Sequence, residues 1–400
     1  MSGPKVSSSD FENSGLCDAF YSAIAGMQKA QKEHLFWDNE LFRGCRLGLF
    51  SLDDFRFIFS QYYLYSKNFT RYLSGLMANL DDDRLRAKLC QNLFEESGED
   101  DLDQRHAQLF RNFLTYGLGI DLAKINFLPF THHFVDRYLD HTRNGSALYA
   151  SAFLSLGTEA IVSQMYEIFV NGLLHAGIAE EHLVFFRIHM ACDDAHAATL
   201  AEILASFSAK PGFLVNAEDA LNESLRLRGE FFDGLVCELR HRRISGHLNR
   251  IQGKTSLLSH DVNEADLKFM PAEPFVKPIY SNQMPALGID FTVDRAPFPA
   301  DVLDARVVRI SPGNVNERHR HAHETVFYII SGNGRLLIGD RFITVQPGDC
   351  VFVPRWVIHQ SQNQGQTPMV ILAITDFFLT SKAYFGDYDS TARMRRPAEQ

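Results

Sequence analysis

Apolar residues along roughly the first 245 positions recur at intervals of three and four, the spacing of helices that each bury one face. Breakers are few there. The pattern predicts helices near residues 16–36, 53–79, 83–97, 103–117, 130–142, 146–173, 179–208 and 215–245, with Gly145 and Pro211-Gly212 marking turns. Residues 246–270 are polar and irregular, as a linker would be. Beyond them the period changes. DARVVRIS, TVFYIIS, GRLLIG, RFITV, DCVFVP and PMVILAITD are short alternating runs punctuated by Gly, Pro and Asn, the pattern of a small β-barrel or sandwich. Proline usage marks the same boundary: only Pro4, Pro129 and Pro211 precede residue 270, and the other eleven follow it. The expectation is a multidomain α + β chain with an all-α bundle over 15–245, a linker over 246–270 and a β domain over 271–385.

Composition narrows the function classes. The formal net charge is −10 and no basic cluster could track a phosphate backbone, so nucleic acid is not an expected partner. His241-Arg242-Arg243 reads as positive charge near a helix end. No apolar run reaches spanning length and the N-terminus lacks a signal-like apolar stretch, which predicts a cytoplasmic protein with no membrane partner. Cys17, Cys45, Cys90, Cys192, Cys237 and Cys350 are scattered without C-x2-C pairs, indicating neither a disulfide framework nor a zinc ribbon.

Candidate chemistry concentrates in the helical half. His189, Asp193 and His196 are spaced H-x3-D-x2-H in FFRIHMACDDAHAATLAEIL, so on a helix all three share one face. Glu95 and Glu96, followed by His106, lie beside another apolar stripe. Glu159 stands inside the almost uncharged stretch SALYASAFLSLGTEAIVSQMYEIF, where a carboxylate must be paired, protonated or coordinated. Inward-facing Glu, Asp and His on separate helices are how carboxylate-bridged di-iron or di-manganese sites are built. Glu96, His106, Glu159, His189, Asp193 and His196 are therefore the candidate metal ligands, with Glu95 and Glu99 as alternatives to Glu96. No Asp or Glu lies between Asp54 and Asp81, so no further carboxylate comes from that segment. Tyr62, Tyr63 and Tyr65 read as core packing, and His132, His133 and His141 as surface residues.

The β half carries its own histidines. His319 and His321 are two apart and share one face of a strand, and His359 follows about forty residues later. These segments resemble the cupin superfamily. Gly313, His319, His321 and Gly332 occupy places of its first motif, and Gly348, Pro354, His359 and Asn363 of its second. Trp356 replaces the usual glycine. The usual glutamate position falls on Thr325, with Glu324 displaced to the opposite face, so a three-histidine site without a carboxylate is expected.

The E-E-x-G segment, His106, Glu159 and the H-x3-D-x2-H triplet together resemble the heme-oxygenase-like di-iron oxidases over most of residues 15–245. That resemblance implies a heme-oxygenase-like bundle with two Fe(II) held by Glu96, His106, Glu159, His189, Asp193 and His196, and O2 as co-substrate. A di-iron domain followed by a three-histidine cupin looks like the N-oxygenases of the streptozotocin type. It implies oxidation of an amino, guanidino or aminoimidazole nitrogen of a small polar metabolite in natural-product biosynthesis, and a cupin that holds one Fe(II) or other divalent metal at His319, His321 and His359. A small-molecule amine or guanidine substrate, an external electron donor and a homodimer follow by the same analogy. The rival readings are a di-iron oxidase that desaturates or cleaves an aliphatic acid or amino acid, and a metal-independent metabolite-binding or sensor protein.

Overall fold

The computed structural model describes residues 24–252, 268–269, 278–385 and 393–395; the side chains of residues 192–196, 250–252, 394 and 395 fall outside that set. The chain divides into two units, Met1–Leu239 and Arg240–Gln400.

The first unit is helical. Its elements are α1 (residues 24–32), α2 (Glu40–Arg46), α3 (Leu52–Ser66), α4 (Phe69–Asn79), α5 (Asp83–Glu96), α6 (His106–Asn112), α7 (Pro129–Asn144), α8 (Ala147–Ser155), α9 (Val162–His175), α10 (Val184–Ala205) and α11 (Phe213–Gln252). Their starts are written in the sequence. Ser51 and Asp54 form a reciprocal capping box at α3, Pro129 takes the first position of α7, and the Asp82 and Ser146 side chains cap α5 and α8. Helix α2, which the periodicity did not predict, is a short segment capped by the Asn39 side chain.

Two of the expected long helices are interrupted. The 53–79 segment stops at Lys67, where the Asn68 amide turns back to donate to the Leu64 carbonyl at 2.7 Å. The 146–173 segment breaks after Ser155. Hydroxyls take the carbonyls there: Thr158 Oγ1 donates to Phe153 at 3.1 Å, and Ser224 Oγ donates to Gly157 at 2.9 Å. Any side chain at 157 would collide with Ser224, since a Cβ would lie 2.4 Å from it. Glu159 therefore opens a short 3-10 turn, Glu159–Ile161, at the entrance to α9 instead of sitting mid-helix. Helix α11 runs to Gln252, past the expected end at 245; most of the remaining linker lies outside the described residues.

Aromatic side chains fill the helical core. Phe59 of α3 meets Phe113, Phe169 and Phe186 edge to face, with centroids 5.1 to 5.5 Å apart. Tyr62, Tyr63 and Tyr65 are buried, as expected of packing residues. Among the described residues no helix is long and apolar enough to cross a membrane.

The second unit holds two antiparallel sheets. The strands are β1 (Tyr280–Met284), β2 (Ile289–Arg295), β3 (Asp304–Ile310), β4 (His319–His321), β5 (Thr325–Ser331), β6 (Gly334–Ile338), β7 (Arg341–Val345), β8 (Cys350–Val353), β9 (His359–Asn363), β10 (Met369–Thr375) and β11 (Arg393–Arg395). The six-stranded sheet runs β1-β2-β3-β10-β5-β8, and the five-stranded sheet β11-β4-β9-β6-β7. Apolar positions from both sheets, including Phe291, Ile329, Leu336 and Ile371, form one core, consistent with a cupin fold. Gly339-Asp340 closes the β6–β7 hairpin in two residues, which requires the positive φ of 65° that Gly339 adopts.

Candidate metal centres

In the helical unit the structure brings Glu96, His106 and His189 together from three different helices. One potential ligand atom of each lies within 4.8 Å of the others. His106 Nδ1 is 2.8 Å from Glu96 Oε2 and 2.9 Å from His189 Nε2. The far nitrogens are tied as well. His189 Nδ1 faces the Phe185 carbonyl at 2.6 Å, and His106 Nε2 faces Ser66 Oγ at 3.0 Å. A carbonyl can only accept, so His189 carries its proton on Nδ1 and turns a lone pair toward the cluster. The His106 ring stacks on Phe69. The cluster is buried, with Glu96 5% and His106 7% exposed.

The turn after α5 selects among the three glutamates. Helix α5 ends at Glu96, and Gly98 (φ 88°) and Glu99 (φ 52°) reverse the chain so that α6 begins at His106 beside it. Glu95 is half-buried and accepts from Gln91, and Glu99 is exposed. Glu96 alone of the three faces His106.

Glu159 is buried on a turn that packs against α10, the helix carrying the triplet. It is not in the convergent group of three found among the described residues. Asp193 and His196 lie on the α10 backbone, but their side chains are outside the described residues. Three of the six expected ligands are thus seen together, a donor set that fits a divalent transition metal. A cavity of about 100 Å³ opens beside them, lined by Ser66, Thr70, Glu96, Arg105 and His106.

In the β unit His319, His321 and His359 converge in the same way. Strand alternation buries both His319 and His321 while Arg320 between them is exposed, and β4 pairs with β9 at His319–His359. Each Nδ1 donates at 2.9 Å to a backbone carbonyl two residues away, of Glu317, His323 and Val357 respectively. All three rings therefore keep Nε2 unprotonated. Burial, reinforced by neighbouring positive charge, holds their pKa values low: His359 at about 4, His321 at about 3 and His319 well below the usual range. Neutral imidazoles with aligned lone pairs are what a divalent metal needs.

Among the described residues no carboxylate joins this triad. Thr325 faces inward, its hydroxyl buried and unpartnered, whereas Glu324 is exposed and 3.5 Å from Arg355. Trp356, at the usual glycine position, adopts the glycine-favouring φ of 60°, and its amide donates to the His321 carbonyl at 2.8 Å. His323 was missed. It stacks on His321 with centroids 3.5 Å apart and lines the same cavity of about 70 Å³. The alternation H-R-H-A-H was its available signal. Asn363 serves structure here: its amide donates to the Ile310 and Thr367 carbonyls.

Comparison with known proteins matches both halves. Residues 56–221 match the family described as iron-containing redox enzyme, and residues 306–375 match the cupin domain. A curated relative, 1-hydroxy-2-naphthoate 1,2-dioxygenase of Nocardioides sp. (strain KP7), is 31% identical over 70 residues, 18% of this chain. The match spans only 18% of that relative's length. Among solved structures, a cupin 2 conserved barrel domain protein from Rhodopseudomonas palustris is 26% identical, covering 24% of this chain and 68% of that one, with a TM-score of 0.23. A salicylate 1,2-dioxygenase from Pseudaminobacter salicylatoxidans is 17% identical, covering 26% and 30%, with the same TM-score. The chain thus joins an iron-containing redox enzyme domain at residues 56–221 to a cupin domain at residues 306–375.

Proposed function

We propose that the helical domain is a non-heme di-iron, O2-dependent N-oxygenase acting on an amino, guanidino or aminoimidazole nitrogen of a small polar metabolite, in the cytoplasm. The observation that carries this reading is the buried Glu96–His106–His189 cluster within a domain of the iron-containing redox family. Glu159, Asp193 and His196 complete the proposed ligand set for two Fe(II). Bound iron would supply the activation of O2. The chain's own residues do the rest. The Phe185 carbonyl fixes the His189 tautomer, Ser66 orients His106, and Phe69 and Phe185 keep the cluster dry.

The balance is simple. One oxygen atom of O2 forms the new N–O bond and the other leaves as water, with two electrons and two protons drawn from an external donor. The product is a hydroxylamine, and repeated turnovers give a nitroso or nitro group. The three-histidine cupin would bind one Fe(II) or another divalent metal and carry out a second oxidative step.

Labelled dioxygen tests the reading. Incubation of the ferrous protein with candidate amines under 18O2 should add label to nitrogen. Loss of two hydrogens or of carbon without labelled N–O would instead indicate a desaturase or a cleaving oxidase. Ligand binding that is indifferent to iron and to Glu159→Ala would indicate a metal-independent sensor.

A further inference from the structure

Arg228, on α11, has no solvent exposure at all. Its Nη2 donates to the Tyr65 hydroxyl at 2.8 Å and to the Tyr138 hydroxyl at 2.9 Å. The Tyr65, Tyr138 and Phe134 rings surround the guanidinium, 4.7, 5.5 and 5.8 Å from its carbon. No carboxylate pairs with it among the described residues, and Nε and Nη1 have no hydrogen-bond partner. The Tyr65 hydroxyl brings no counter-charge, because burial holds it protonated. Aromatic faces and two hydroxyls offset part of the desolvation of a cation, but they leave its charge and two donors unmet.

The position connects this cation to the candidate iron site. The Tyr138 hydroxyl is 2.9 Å from Ser224 Oγ and 3.4 Å from Thr158 Oγ1. Thr158 immediately precedes Glu159 at the helix break. A single polar network therefore runs from the unpaired guanidinium to the backbone that carries a proposed metal ligand.

We propose that Arg228 is the docking group for a carboxylate on the substrate of the helical domain, so that the substrate class is amines or guanidines bearing an acidic group. The assignment rests on the enzymatic reading above for the word substrate, but the anion site itself does not. The acid would accept from Nε or Nη1 while Tyr65 and Tyr138 hold the guanidinium plane. The basic nitrogen of the same molecule would then lie on the Glu159 side.

Bromide and acetate are the probes. In crystals of the full metal-free chain soaked in bromide, an anomalous peak in contact with Arg228 Nε or Nη1 is expected. Crystals that show bromide elsewhere and none at Arg228 overturn the proposal, whether or not any variant folds. In solution, acetate should raise the Tm of the wild type and neutral acetamide should not. Arg228→Met should weaken the acetate effect about tenfold or more, the size expected for losing a buried charge-assisted pair. Equal stabilisation by acetamide, or an acetate effect intact in the variant, marks Arg228 as a purely structural cation in an aromatic cage. Ferrous loading of the same wild-type preparation separates the two readings. Bromide at Arg228 without iron uptake would overturn the enzymatic reading and uphold the anion site.

Discussion

Each cupin imidazole, and His189 in the helical cluster, is held at one nitrogen by a backbone carbonyl so that the other carries the lone pair a metal would take. That arrangement depends on local backbone, and Trp356 shows how closely. Its φ of 60° is unfavourable for any residue with a Cβ, and its amide is pinned to the His321 carbonyl. Replacing the ring also removes packing, so the informative comparison is between Trp356→Gly and Trp356→Ala, which lose the same ring. Glycine should be the more stable of the two by about 1 kcal/mol in denaturant titrations, the reverse of an ordinary position. Alanine as the more stable variant would show that the loop relaxes freely. At this scale sequence spacing separated Thr325 from Glu324 correctly, because strand alternation is strict. It could not choose among Glu95, Glu96 and Glu99, since that choice is made by the positive φ values of Gly98 and Glu99.

Elements, and the breaks between them, place the ligands. Gly98 allows α5 to stop and α6 to start within ten residues, so that Glu96 and His106 meet. A Cβ at 98 would lie 2.4 Å from the Asp101 carbonyl oxygen, in addition to the strain of a φ of 88°. Gly98→Ala should destabilise the helical domain by about 1–3 kcal/mol and lower its iron affinity, measured by thermal unfolding and by metal analysis after dialysis. A variant with unchanged iron content would show that the turn does not position Glu96. Periodicity located most helices but ran through the interruptions at Asn68 and Gly157. Those breaks are made by side-chain hydroxyls and amides that compete for backbone carbonyls, and by Ser224 arriving from a helix some sixty-seven positions away. Such long-range contacts leave little trace in local hydrophobicity.

Across the whole chain, two units of different fold class carry separate candidate centres; period and proline usage change near residue 270, whereas the two units divide earlier, between Leu239 and Arg240 within α11. Acid should distinguish them. The cupin histidines have lowered pKa values in the folded state, so below the ordinary value of 6.5 the unfolded chain binds protons that the folded chain refuses. Stability of the metal-free cupin should be constant above pH 6.5 and fall as pH drops below it, the loss being complete near pH 4 for His359 and near pH 3 for His321. The slope should approach about 1.4 kcal/mol per pH unit for each buried imidazole. Unfolding midpoints that do not move between pH 6.5 and 4 would mean the triad is already protonated when folded. The most direct test of the account is iron stoichiometry of the full chain after anaerobic ferrous loading and desalting, with Glu96→Gln and His359→Gln alongside. About three irons per chain are expected, two lost or loosened by Glu96→Gln and one by His359→Gln. Iron confined to the cupin, and unaffected by Glu96→Gln, would contradict the account.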